Sequence, residues 1–108
     1  MLKTILILTS FIIFSTIFCS GSRPSNIGIK DNKLTPCPDS PNCVSSEADD
    51  KEHFIEPFPI TGSGSAEMKK ILDTIKNMKR TEIIESTDNY IYAEFTSAVF
   101  RFVDDVEF

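Results

Sequence analysis

Three carboxylates fall close together near the end of this 108-residue chain, at Asp104, Asp105 and Glu107. If they lie on a strand, side chains two apart share a face, so Asp105 and Glu107 project together and Asp104 points the other way. Two hard oxygen donors on one face suit Ca²⁺ or Mg²⁺, or an acid/base pair. The same acids equally suit an ion pair with Arg101, a polar core, or a solvated turn. Asp105 and Glu107 are therefore the candidate catalytic residues. No metal and no cofactor are expected.

The three cysteines are the second group with chemistry. Cys19 stands alone, and Cys37 and Cys43 bracket a short loop, Cys37-Pro38-Asp39-Ser40-Pro41-Asn42-Cys43. Cleavage or acylation takes Cys19 out of the count and leaves an even pair, which in an exported protein reads as a disulfide. A redox pair is the first rival, although C-x5-C lacks the C-x2-C spacing that favours exchange. A zinc site is the second, and it falls short of four ligands with only His53 and distant acids to add. His53 itself sits in a charged stretch, residues 45–53, and is read as a surface side chain. No Ser/His/Asp elbow, phosphate-cradling loop or dinucleotide fingerprint is present. Gly62-Ser63-Gly64-Ser65 offers an anion free backbone N–H groups, but it reads as a linker and helix cap.

The elements that would position these residues follow an N-terminal leader. Lys3 and the apolar run from Ile5 to Phe18 make residues 1–18 a signal peptide. The run is too short for the ~20 residues a spanning helix needs. Thr16-Ile17-Phe18-Cys19-Ser20 is similar to a bacterial lipobox, with Phe18 departing from the usual small residue, and makes Cys19 the expected lipidation site. Ordinary cleavage after Ser20-Gly21-Ser22 is the competing route. The expected location is therefore the cell envelope, on the periplasmic side or the cell surface, held to the membrane by the lipid. Residues 19–33 are a polar tether rich in Ser, Asn and Gly.

Residues 34–108 are read as a single α+β domain. Ser65 is the expected N-cap of a helix over 65–78, with Met68, Ile71, Leu72, Ile75 and Met78 as its apolar stripe. Phe54 to Pro59 reads as an extended edge segment. Strands are expected at Thr81–Glu85, Tyr90–Thr96, Val99–Val103 and Val106–Phe108, with a turn at Asp88-Asn89 and with Ile91, Ala93 and Phe95 on one face. One amphipathic helix on a small antiparallel sheet, preceded by the stapled loop, is the economical architecture. The chain ends inside the Val106-Glu107-Phe108 alternation, which reads as a truncated domain. The net charge of −5 becomes one unit more negative when Lys3 leaves with the leader. Such an acidic domain is a poor partner for nucleic acid. Lys69, Lys70, Lys76, Lys79 and Arg80 read as a solvated helix face.

Two motifs carry a resemblance. Cys37 to Ser46, CPDSPNCVSS, and Phe102 to Phe108, FVDDVEF, resemble the signatures of domain-of-unknown-function family 1499. The likeness covers roughly residues 34–108. It implies an α+β domain of bacterial envelopes and of plastid-bearing organisms, with no assigned activity. It also implies a Ser/Arg-rich segment after the acidic run, which this chain lacks. Taken together, the sequence reads as an envelope lipoprotein acting as a binding or accessory module, its protein or small-molecule partner unspecified. The alternative is a metal-dependent or acid/base enzyme using Asp105 and Glu107.

Overall fold

A computed structural model describes residues 21–108; the leader over 1–18 and Cys19 lie outside the described residues. In chain order the elements are β1 (Ile29–Lys30), β2 (Lys33–Leu34), α1 (Gly64–Lys76), β3 (Thr81–Ser86), β4 (Ile91–Thr96) and β5 (Val103–Glu107). β1 and β2 form a two-stranded hairpin, and β3, β4 and β5 form an antiparallel sheet in sequence order. The architecture is α+β: one helix, antiparallel sheets, and a loop closed by the Cys37–Cys43 disulfide before them.

The helix begins one residue before the expected point and is capped by Ser63, not Ser65. Ser63 is extended (φ −76°, ψ 147°), which lets its hydroxyl accept the Ala66 N–H at 3.3 Å. Ser65 already lies inside the first turn. Glu67 meets the positive end of the helix dipole and accepts hydrogen bonds from Lys70 and Thr61. The helix stops at Lys76, so Met78 falls outside the stripe and is exposed. The chain then turns at Arg80, whose φ of 59° is left-handed, and enters β3. Met68, Ile71, Leu72 and Ile75 remain as the apolar face, over Ile91 and Ala93 of β4.

β4 is the central strand and carries the core. Ile91, Ala93 and Phe95 share the helix side, as the alternation requires, with Ile83 and Phe108 completing the cluster. A bulge between Ile83 and Glu85 leaves Ile84 as the extra residue in β3. Asp88-Asn89 make the expected turn, closed by the Thr87 N–H on the Tyr90 carbonyl at 2.8 Å.

The last strand differs from the reading. Val99–Val103 is not a strand, and the Asp104-Asp105 pair is not a break between two strands. Residues 97–102 are the loop that reverses the chain: the Ser97 N–H donates to the Phe102 carbonyl at 2.8 Å, and Arg101 takes a left-handed φ of 58°. An antiparallel neighbour of β4 needs that reversal, which consumes the apolar residues just after Thr96. β5 therefore runs straight through the acids, pairing Asp104 with Phe95, Asp105 with Glu94, and Glu107 with Tyr92. Phe100 and Phe102 consequently lie outside the core, while Phe95 and Phe108 are in it.

Two earlier segments are also changed. The stretch read as a tether holds β1 and the first residue of β2, joined through Asp31 and Asn32, both at positive φ as a two-residue hairpin turn demands. The stretch read as an extended edge forms only an isolated bridge, Phe54 with Ser45. Beyond it the Phe58 ring stacks on Phe108, centroids 6.4 Å apart.

Candidate functional site

Strand alternation puts Tyr92 and Glu94 of β4 on the side of the sheet away from the helix. Tyr90 precedes the strand and extends the same alternation. Register brings Asp105 and Glu107 to that side as well, opposite Glu94 and Tyr92. The sequence thus correctly placed Asp105 and Glu107 on one face, and the structure shows what they meet there. The Tyr90 hydroxyl donates to Glu107 Oε1 at 2.7 Å. The Tyr92 hydroxyl donates to Asp105 Oδ1, and lies 3.4 Å from Glu94 Oε1. Both tyrosines are core residues, only 5% and 4% exposed.

What meets this face is the segment from Arg23 to Gly28. The Gly28 N–H donates to the same Glu107 Oε1 at 2.6 Å, and Gly28 takes a φ of 110° that a residue with Cβ adopts only under strain. The Arg23 Nε–H donates to Glu94 Oε1 at 2.5 Å. The Thr35 hydroxyl reaches the Gly28 carbonyl at 3.5 Å. Part of the supposed tether is therefore a strap across the sheet, held by Glu94 and by Glu107, one of the two carboxylates that looked available for chemistry. Sequence reasoning missed Tyr90, Tyr92 and Glu94 as members of this cluster. The signal was present in the strict alternation Tyr90-Ile91-Tyr92-Ala93-Glu94, whose second face is entirely hydrogen-bonding.

Burial, then the neighbouring carboxylates, pushes both phenols well above their ordinary pKa. Desolvation and an adjacent negative charge both disfavour tyrosinate. The Arg23 guanidinium is raised by its bond to Glu94. Chemically the cluster is a set of neutral phenol donors facing carboxylate acceptors. No buried side-chain nitrogen or oxygen among the described residues lacks a partner. Among the described residues, no three histidine, cysteine, aspartate or glutamate side chains are disposed to hold a metal ion.

A second cluster surrounds the disulfide. His53 is not the free surface side chain expected: it is only 14% exposed. Its Nδ1 meets Asp50 Oδ1 at 2.8 Å and its Nε2 meets the Ser40 carbonyl at 3.0 Å. Two acceptors on two ring nitrogens call for an imidazolium, which alone donates from both. The Asp50 carboxylate and then the Ser40 carbonyl hold the ring's pKa above its ordinary value, and His53 in turn holds Asp50 below the usual carboxylate range. Asp50 Oδ1 also accepts the Glu52 and His53 backbone N–H groups, at 3.1 and 3.0 Å.

Asp50, His53 and Ser40 have the residue types of a catalytic triad without its arrangement. The imidazole faces the Ser40 carbonyl, while the Ser40 hydroxyl is bonded to Asn42. This is a clamp between the stapled loop and the segment after it. An open hollow of about 530 Å³ beside the clamp is lined by Cys37, Pro38, Asp39, Asp50, Glu52 and His53. With Cys37 and Cys43 bonded to each other, neither thiolate is free for exchange or for a metal.

The chain belongs to the family of proteins of unknown function DUF1499, whose profile matches residues 33–108. Comparison with curated proteins and with solved structures finds no match. Among the described residues no helix is long and apolar enough to cross a membrane.

Proposed function

We propose that this member of the family is an exported lipoprotein of the bacterial cell envelope. In this reading a lipid on Cys19 anchors it, and residues 34–108 act as a binding or accessory module with no reaction of their own. The observation that carries the reading is the division of labour among three cysteines. One follows directly after an apolar leader, and the other two are bonded to each other. Disulfides persist in oxidising compartments outside the cytosol, which is where a cleaved leader delivers a chain.

The acid/base alternative rested on Asp105 and Glu107 being available. Both are hydrogen-bond acceptors for buried tyrosines, and Glu107 also receives the strap. That occupation favours a structural role for the pair over a catalytic one.

Intact-mass analysis of protein extracted from envelopes tests the anchor. The expected product starts at Cys19 and carries acyl chains. A product starting at Arg23, soluble without detergent, would refute it. Alkylation of the native protein should label neither Cys37 nor Cys43 until a reductant is added.

A further inference from the structure

One end of the domain combines exposed apolar side chains with a group of cations. The β4–β5 loop and the turn after α1 meet there. The Thr96 N–H donates to the Arg80 carbonyl at 2.8 Å, and Arg80 Nε–H donates back to the Thr96 carbonyl at 3.2 Å. The loop is fixed as well, since the Phe102 N–H donates to the Ser97 hydroxyl at 2.9 Å. On this rigid platform Val99 is 80% exposed, Phe100 76% and Phe102 65%, and the two rings stack on each other at 5.7 Å. A contiguous exposed apolar patch on a small domain marks an interaction site.

Charge identifies what the patch fits. In a chain of net charge −5, the cations at this end, exposed Lys76, Lys79, Arg80 and Arg101 with Arg23 on the strap, outnumber by one the carboxylates Glu82, Glu94, Asp104 and Asp105. Exposed aromatic rings flanking a cation, with more cations beside them, match the interfacial zone of a membrane: rings enter the acyl boundary and cations meet phosphates.

The strap supplies an independent direction. Along β4, Glu94 is nearer this end than Tyr92, and Glu107 pairs with Tyr92. Going backwards along the chain, the strap passes from Glu107 at Gly28 to Glu94 at Arg23, so it leaves the sheet toward the aromatic loop. Cys19 is four residues further back, a reach of about 14 Å at most.

We infer that the Val99–Phe102 loop and the Met78–Arg80 turn dock on the surface of an anionic phospholipid bilayer, with the sheet standing end-on to the membrane. The orientation rests on the lipid anchor proposed above; the affinity of the loop for lipid does not.

The chain has no tryptophan, so one introduced indole is an unambiguous reporter. Exported protein carrying Phe100→Trp, and separately Asp88→Trp at the opposite end of the sheet, is reconstituted in phosphatidylglycerol-containing vesicles with brominated acyl chains. The indole at 100 should shift to the blue and be strongly quenched, and the one at 88 should do neither. Adding Arg101→Glu to Phe100→Trp should remove most of the quenching, and raised salt should weaken it. Equal quenching at both positions, or none at 100, overturns the inference. So does shielding at 100 that appears without vesicles and grows with protein concentration, which would mean a second copy covers the loop. The N-terminal mass of the same sample separates the two ideas. An acylated chain unquenched at 100 keeps the anchor and removes the docking surface. An unacylated chain quenched at 100 does the reverse.

Discussion

On the helix side of β4, Ile91 and Ala93 are sealed beneath Ile75 and need nothing from their neighbours but contact. On the other side of the same strand, Tyr92 is just as inaccessible, and Tyr90 beside it likewise, yet each must find an acceptor for its hydroxyl. The acceptors come from β5, one carboxylate for each phenol. Apolar burial is rewarded in proportion to area, whereas a buried hydroxyl is tolerated only when it is hydrogen-bonded. This difference accounts for the two carboxylates that the sequence offered as a site. They make it feasible to bury two tyrosines where a strap crosses the sheet.

The largest expected effect lies on the dry side. Ile91→Ala removes a fully buried side chain from the centre of the cluster and should cost about 2–5 kcal/mol of unfolding free energy by denaturant titration. A loss under about 1 kcal/mol would mean that the helix side relaxes into the gap, and the contrast between the faces would weaken accordingly.

The wet side should respond less, and through pairs. Tyr92→Phe and Asp105→Ala should each cost about 1–3 kcal/mol, because the first leaves the half-buried Asp105 carboxylate and the second the buried Tyr92 hydroxyl without its partner. The double variant should cost less than the sum of the two, since both remove the same bond. Simple additivity would show that the two groups do not depend on each other.

The same face predicts an alkaline limit. The chain has two tyrosines and both are here. Their folded pKa values lie above the ordinary one, so the stabilisation is complete below about pH 10 and is lost as pH rises through the folded values. Ultraviolet titration should show no tyrosinate at the ordinary midpoint, then ionisation together with unfolding. A normal titration near pH 10 in folded protein would contradict the burial.

Around the disulfide the polar contacts are more exposed and the expected effect is smaller. His53 is the single histidine, so its imidazole resonance can be followed by NMR without assignment. Its folded pKa is raised, so the clamp contributes fully below about pH 6.5 and fades as pH rises through the folded value. Asp50 works in the opposite sense: its lowered pKa means that the contribution is lost in acid. The clamp therefore holds best between these limits. Asp50→Asn should bring the histidine midpoint down toward its ordinary value, and an unchanged midpoint would separate the two groups.

Much of this was legible in the residues. Helical spacing from Met68 to Ile75 and the alternation from Ile91 to Phe95 found the helix and the central strand, because both patterns are dictated by one buried face. The pairing of Cys37 with Cys43 followed from counting. What escaped was set by tertiary contact. Nothing local in Val99-Phe100-Arg101-Phe102 distinguishes a strand from a reversal, and only the need to bring β5 back beside Thr96 decides it. Gly28 and Arg23 looked like linker because their partners, Glu107 and Glu94, lie 79 and 71 residues away in sequence.

The smallest expected effect tests that strap. Arg23→Gln removes a cation whose side chain is more than half exposed, and exposed ion pairs add little to global stability because water and salt already screen them. The melting point should hardly move. Local opening is another matter, since a segment held by few contacts frays at a free energy far below that of the whole domain. Hydrogen exchange around Arg23 should therefore accelerate in the variant and, in the wild-type chain, with rising salt. Exchange at Gly28, whose N–H is held separately by Glu107, should change less. If exchange at Gly28 accelerates as much as that around Arg23, the strap detaches as one unit and Arg23 is its latch. If neither moves, the Glu107 contact alone fixes the strap.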